Sequence, residues 1–275
     1  YFVLGYIFSK CENCMGILRE FNLYKCDKCD NNGFIVNGQS AIKCSCRVKY
    51  EFELKASSIL SNSGLLNESS NYEDFKKLID YSFDNYKGND ENGNIKKIKK
   101  FVSEFDNPNK PFKHLHCYVY GVQGTQKSYT VKGMLVRLAC DKGKKVYYIF
   151  TKDLINLIID SERDENARKK LDYIQNVDCL VLDEFDEKRV ASWKSGYKEN
   201  VLITWLKDRL EVKRLSTWII SNLSIEEQKE TSFGELYYDL LKRETCYGQF
   251  NFTDRYMDSL SKEEIQATFA SIWDD

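Results

Sequence analysis

The stretch GVQGTQKS, from Gly121 to Ser128, constrains the fold of this chain more than any other. It follows the apolar run Leu115–Tyr120 and precedes a helical pattern over Val131–Cys140. Strand, glycine loop and helix is the context that a phosphate-binding loop requires. The spacing fits G-x-x-x-x-G-K-[ST] except at Gln126, which stands where the last glycine belongs. In such a loop, backbone N–H groups cradle phosphates, helped by the positive end of the helix that begins there. Gly121, Gly124, Thr125, Gln126, Lys127, Ser128 and Tyr129 therefore form the candidate loop for ATP or ADP. Lys127 would reach the β- and γ-phosphates, and the Ser128 hydroxyl would bind Mg²⁺.

Two later segments support that reading. Asp178–Glu184 is an apolar strand that ends in two carboxylates. In a phosphate-loop protein, a strand beside the loop delivers an aspartate to the Mg²⁺ shell. Asp183 would hold the metal through water, and Glu184 would be the base for the attacking water. Ser216–Asn222 is another apolar strand with a polar end, and Asn222 is the candidate to sense the γ-phosphate. From residue 112 onward strands alternate with helices, among them Lys152–Ser161 with Thr151 as N-cap, Val201–Leu210 and Phe233–Glu244. That alternation predicts an α/β fold with a central parallel sheet. Gln249–Phe252 reads as a short strand, and Ser261 and Glu264 make a capping box for a terminal helix.

The chain has ten cysteines, six of them before residue 47. Cys11 and Cys14, Cys26 and Cys29, and Cys44 and Cys46 are closely spaced pairs, each able to grip one tetrahedral metal ion. Fifty residues make a poor hydrophobic core, so bound zinc would supply folding energy. Cys26, Cys29, Cys44 and Cys46 are the favoured Zn²⁺ ligands; Cys11 and Cys14 either complete a different four or stay uncoordinated. Clustered pairs beside scattered apolar-context thiols such as Cys117 and Cys179 point to a reducing cytoplasm rather than to disulfides.

Between these regions, residues 51–110 read as a polar helical lead-in, with apolar spacing over Tyr72–Tyr86 and Ile95–Phe105. No apolar run approaches the ~20 residues of a membrane span. Net charge is −1, so any nucleic-acid contact must come from a local patch. The segment 188–198 supplies one: Lys188, Arg189, Trp193, Lys194 and Lys198 interleave basic and aromatic side chains, which suits phosphate contacts and base stacking on single-stranded DNA.

GVQGTQKS, CLVLDEFD and WIISNLS, with helix Val201–Leu210 before the last, together resemble the AAA+ helicase loaders of the DnaC/DnaI type and the related IstB transposition ATPases. CDKCDNNGF followed by CSC resembles the zinc modules attached to DnaI-like and phage-encoded loaders. The resemblance implies an AAA+ P-loop ATPase domain with an abbreviated lid over residues 111–275, preceded by a small zinc-binding module at 1–50 and a lead-in at 51–110. It further implies a cytoplasmic ATPase that binds a DnaB-type replicative helicase, self-associates and helps place the helicase on single-stranded DNA. The zinc module would dock on the helicase. Such families also supply an arginine to a neighbour's nucleotide, for which Arg243 is the nearest candidate, with Arg209 and Arg255 as others. Two other readings are a transposition ATPase of the IstB kind and a zinc adaptor whose nucleotide site has decayed at Gln126.

Overall fold

In the computed structural model, the residues described are 26–29, 33–37, 40–66, 70, 72–86, 90, 92–185, 196–230, 232–245 and 248–253. Strands β1 (Phe34–Asn37) and β2 (Ser40–Lys43) form an antiparallel hairpin that leads directly into helix α1 (Ser45–Leu60). Helices α2 (Tyr72–Ile79) and α3 (Asn94–Glu104) follow. The chain then alternates: β3 (His116–Tyr120), α4 (Lys127–Lys142), β4 (Val146–Phe150), α5 (Thr151–Asp160), α6 (Glu165–Gln175), β5 (Cys179–Asp183), α7 (Gly196–Lys207), β6 (Ser216–Ile220), α8 (Ile225–Lys229), α9 (Ser232–Glu244) and β7 (Gln249–Asn251). These five later strands form one parallel sheet in the order β4-β5-β6-β3-β7.

Side chains alternate across a strand, so a parallel sheet covered on both sides needs apolar residues at every position. The runs here supply them. Cys117, Val119, Val146, Tyr148, Cys179, Val181, Trp218 and Ile220 face one side, under α1, α2, α3 and α4. Tyr118, Tyr147, Ile149, Leu180, Leu182 and Ile219 face the other, under α5, α6, α7, α8 and α9. Cys117 and Cys179 are fully buried, as small core residues should be.

Several local expectations shift. Helix α1 begins beside Cys44 and buries Ala56 and Leu60 in the core, so one helix runs across the expected boundary at residue 50. The Tyr72–Tyr86 pattern splits, because α2 ends at Ile79 and a 3-10 turn occupies Phe83–Asn85. Buried Tyr81 turns inward there, and a Cβ at Gly133 would come within 2.1 Å of its ring. Thr151 is the first residue of α5 rather than its cap; Phe150 holds the cap position. The Val201–Leu210 pattern runs on past α7 as a π-helical segment over Asp208–Lys213, which swings Arg209 into the core. The predicted terminal helix and the lid lie outside the described residues.

Candidate nucleotide site and cysteine cluster

The loop starts where β3 ends, between β6 and β7. Gly121 has φ 141°, and a Cβ there would meet the Phe252 carbonyl oxygen at 2.0 Å. The chain just past β7 therefore packs on the loop too closely for any side chain. Gly124 has φ 88°. Gln126, at φ 60° and ψ 20°, holds the left-handed position that precedes α4. This is the reason a glycine suits that place, since a side chain there costs about 1–2 kcal/mol. The Gln126 Oε1 is buried with no hydrogen-bond partner.

Lys127 is the first residue of α4 and is 6% exposed. Its Nζ donates to the carbonyls of Gly121 at 2.7 Å and Val122 at 2.9 Å, and reaches Thr125 Oγ1 at 3.4 Å and Asn222 Oδ1 at 3.3 Å. Thr125 Oγ1 in turn donates to Val122 O at 2.9 Å and closes the loop. Tyr129 is exposed and sits edge-on to Tyr81. The ammonium is thus fixed at the mouth of a helix N-terminus, where an incoming phosphate can replace carbonyl oxygens as its partner.

Opposite the loop, Asp183 ends β5 at 4% exposure. Its Oδ1 accepts from the Glu184 N–H at 2.7 Å, and its Oδ2 accepts from the Tyr148 hydroxyl. Its carbonyl accepts from Thr151 Oγ1 at 2.9 Å. Glu184 takes φ 55°, a left-handed turn that sets its side chain apart from the strand direction. Burial and the neighbouring Asp183 push the Tyr148 phenol well above its usual range, so it stays a donor. Lys132 Nζ lies 4.4 Å from the centroid of the Tyr148 ring. Burial pulls the Lys132 ammonium below its ordinary value, and Asp183 opposes that pull. Tyr148, Thr151 and Lys132 carry no sequence signal of their own: Tyr148 reads as one more β-former in VYYIF.

Asn222 follows β6, whose last carbonyl, on Ile220, accepts from Phe185 N at 2.9 Å. Buried Gln228 ties the two strand ends together, donating to Phe185 O at 2.5 Å and Ser221 Oγ at 3.0 Å. Tyr118 Oη donates to Leu223 O at 3.0 Å and steadies the same turn. Arg243 is exposed on α9, paired with Glu244 at 2.8 Å and with Glu211. Arg209 cannot serve a neighbour. It is fully buried and donates to Ile174 O, Gln175 O, Val177 O, Ser216 O and Thr217 Oγ1. Burial lowers its pKa to about 10. Arg255 lies outside the described residues.

The sulfurs of Cys26, Cys29, Cys44 and Cys46 all lie within 4.8 Å of one another. The Cys26–Cys44 pair is at 3.7 Å and the Cys29–Cys46 pair at 3.4 Å. A tetrahedral zinc with Zn–S bonds of ~2.3 Å needs sulfurs roughly 3.8 Å apart, so the cluster has the right size. The hairpin builds it: Cys44 N donates to Gly33 O at 2.9 Å, and Gly33 N donates to Cys29 Sγ at 3.3 Å. The backbone N–H of Cys46 draws the Cys44 thiol down to about 7, while burial and the adjacent thiols push Cys46 up to about 12. Four crowded thiolates need a cation among them. Cys11 and Cys14 lie outside the described residues.

Of the predicted DNA segment, Lys188, Arg189, Trp193 and Lys194 also lie outside the described residues. Lys198 falls in the first turns of α7. Tyr197 beside it is 52% exposed and donates to Glu162. Among the described residues no helix is long and apolar enough to cross a membrane.

The solved structures most like this chain include the crystal structure of DnaI, at 21% identity and a TM-score of 0.51, covering 65% of this chain and 93% of that one. The DnaC helicase loader is 22% identical with a TM-score of 0.46, over 65% of this chain and 96% of that chain. AMPPCP-bound DnaA from Aquifex aeolicus is 15% identical with a TM-score of 0.48, over 70% and 56%. The DnaI likeness supports the fold. The search of curated proteins found no match. The model of the IstB-like ATP binding protein family matches residues 70–240, a span that includes the glycine loop, both carboxylates and Asn222. With well over half of its length matched, the chain belongs to the IstB-like ATP-binding family.

Proposed function

We propose that this chain is an ATP-dependent loader that binds a DnaB-type replicative helicase in the cytoplasm and helps deposit it on single-stranded DNA. The observation that carries the proposal is the pairing of a four-cysteine cluster with an ATP-binding domain of this family, joined through the single helix α1. A transposition ATPase needs no such module ahead of its nucleotide domain, and the likeness to the DnaI fold agrees with the loader reading.

In this reading Lys127 holds the β- and γ-phosphates, Ser128 and Asp183 hold Mg²⁺, and Glu184 takes the proton of the attacking water. When bound, Mg²⁺ neutralises the developing phosphate charge. Asn222 sits within reach of the γ-phosphate through its contact with Lys127. Arg243, on the exposed face of α9, reaches a neighbouring copy's nucleotide in an ATP-dependent oligomer. Hydrolysis is weak until a partner stimulates it. Residues 1–50, with zinc on Cys26, Cys29, Cys44 and Cys46, dock on the helicase; residues 51–110 lead into the ATPase domain at 111–275. Lys188, Arg189, Trp193, Lys194 and Lys198 contact single-stranded DNA.

Native mass spectrometry of the chain with ATP and a DnaB-type helicase tests this, reading stoichiometry and bound zinc together. The loader reading expects a complex that Cys29→Ser abolishes while nucleotide binding persists. Capture of a transposase instead of the helicase would favour the second reading, a transposition regulator. For the DNA contacts, Lys194→Ala with Lys198→Ala should weaken oligo-dT binding and flatten its salt dependence.

A further inference from the structure

The Ser128 hydroxyl has one proton and two lone pairs. To ligate a cation it must turn its lone pairs toward the ion and dispose of the proton elsewhere. The structure provides an acceptor for that proton. The Tyr148 hydroxyl donates to Asp183 Oδ2, and Ser128 is its hydrogen-bonding neighbour on the other side. Asp183 Oδ1 is already engaged by the Glu184 N–H at 2.7 Å.

The tyrosine is held firmly enough to act as a template. Its ring is 5% exposed. Its backbone N–H donates to Ser63 O at 2.7 Å, and a Cβ at Gly64 would stand 2.2 Å from its carbonyl oxygen. Lys132 caps the ring at 4.4 Å. Lys132 is one turn beyond Ser128 on α4, so both residues reach β4 from the same helix face. A phenylalanine would fill this core position equally well. The hydroxyl is the only polar part of the side chain, and it is spent on the two groups that flank the proposed metal position.

We infer that Tyr148 is a positioning residue of the metal site: it takes the Ser128 proton, gives its own to Asp183, and leaves the serine lone pairs facing the site. This rests on the nucleotide reading above and extends it to a residue that carries no motif. Outer partners of metal ligands act in this way, by fixing the orientation of the groups that bind.

Tyr148→Phe in the full chain, with a fluorescent ATP analogue titrated in EDTA and across a MgCl₂ series, tests the inference. The variant deletes one oxygen and keeps the ring, and a thermal melt checks that the fold is retained. Binding in EDTA should match the parent, because Lys127 and the loop are intact. The Mg²⁺ concentration for half-maximal enhancement should rise by about tenfold or more. In a Ser128→Ala background the same change should have little further effect, since the proton it accepts is gone. An unchanged Mg²⁺ response in Tyr148→Phe, or an equal loss in both backgrounds, would overturn the inference. A parent chain that binds no nucleotide at all would instead overturn the reading on which it rests, and the inference with it.

Discussion

Asn222 Oδ1 accepts a hydrogen bond from Lys127 Nζ at 3.3 Å, across 95 residues of sequence. The contact places the end of β6 against the start of α4, so a group that draws the ammonium away also releases the asparagine. Lys127→Ala should abolish ATP binding in calorimetry, because nothing else at that place carries the charge. Asn222→Ala should bind ATP and hydrolyse it more slowly. Glu184→Gln should keep binding and lose hydrolysis by about 10²–10⁴-fold, the usual worth of a positioned base. A Lys127→Ala variant with parental affinity would end the phosphate-loop reading.

Gln126 occupies a left-handed position with φ 60°. Gln126→Gly should relieve strain and raise stability by up to about 1 kcal/mol, or roughly 2–4 °C in Tm. Nucleotide affinity should rise too, since the side chain no longer stands where backbone approaches phosphate. A lower Tm in scanning calorimetry would show that the glutamine makes contacts that outweigh its backbone strain.

Zinc binds thiolates, so protons compete with it. With Cys46 pushed to about 12 and Cys44 drawn to about 7, metal binding must expel protons at neutral pH. Zinc affinity therefore climbs with rising pH, and zinc is released as pH falls below neutrality. Elemental analysis after dialysis across a pH series should find one zinc per chain at pH above 7 and progressive loss below it. Cys44→Ser should bind none. Retention of full zinc in that variant would shift the site to a set that includes Cys11 and Cys14.

Arg209 and Arg243 look alike in sequence and differ completely in the fold. Arg209→Ala would strand the carbonyls of Ile174, Gln175, Val177 and Ser216 in the core, at a cost of at least about 3 kcal/mol. Arg243→Ala should leave the melting temperature close to the parent's, because its ion pairs are exposed. If Arg243 serves a neighbour's nucleotide, that variant loses ATPase activity only under conditions where the chain self-associates. Denaturant unfolding separates the first effect; activity against chain concentration separates the second.

Local order was legible without the structure wherever one interaction range dominates. GVQGTQKS between an apolar run and a helical pattern demands a loop, and the strands ending in Asp183 and Asn222 show their length and polarity directly. The close cysteine pairs name their own chemistry, and Cys26, Cys29, Cys44 and Cys46 do converge. Elements that depend on a distant partner were not legible. The π-helical segment at Asp208–Lys213 exists because Arg209 finds carbonyl acceptors on α6 and β6, and helical periodicity carries no record of them. Tyr148 shows the same limit. In sequence it is a β-former among others; only the pairing of β4 with β5 sets its hydroxyl on Asp183, and only the packing of α4 brings Ser128 and Lys132 to it. Residue type and spacing determine which chemistry a chain can carry. Which side chains share a proton is decided by strand register and helix packing, because a hydrogen bond is specified to tenths of an ångström and no local pattern constrains distance across the sheet.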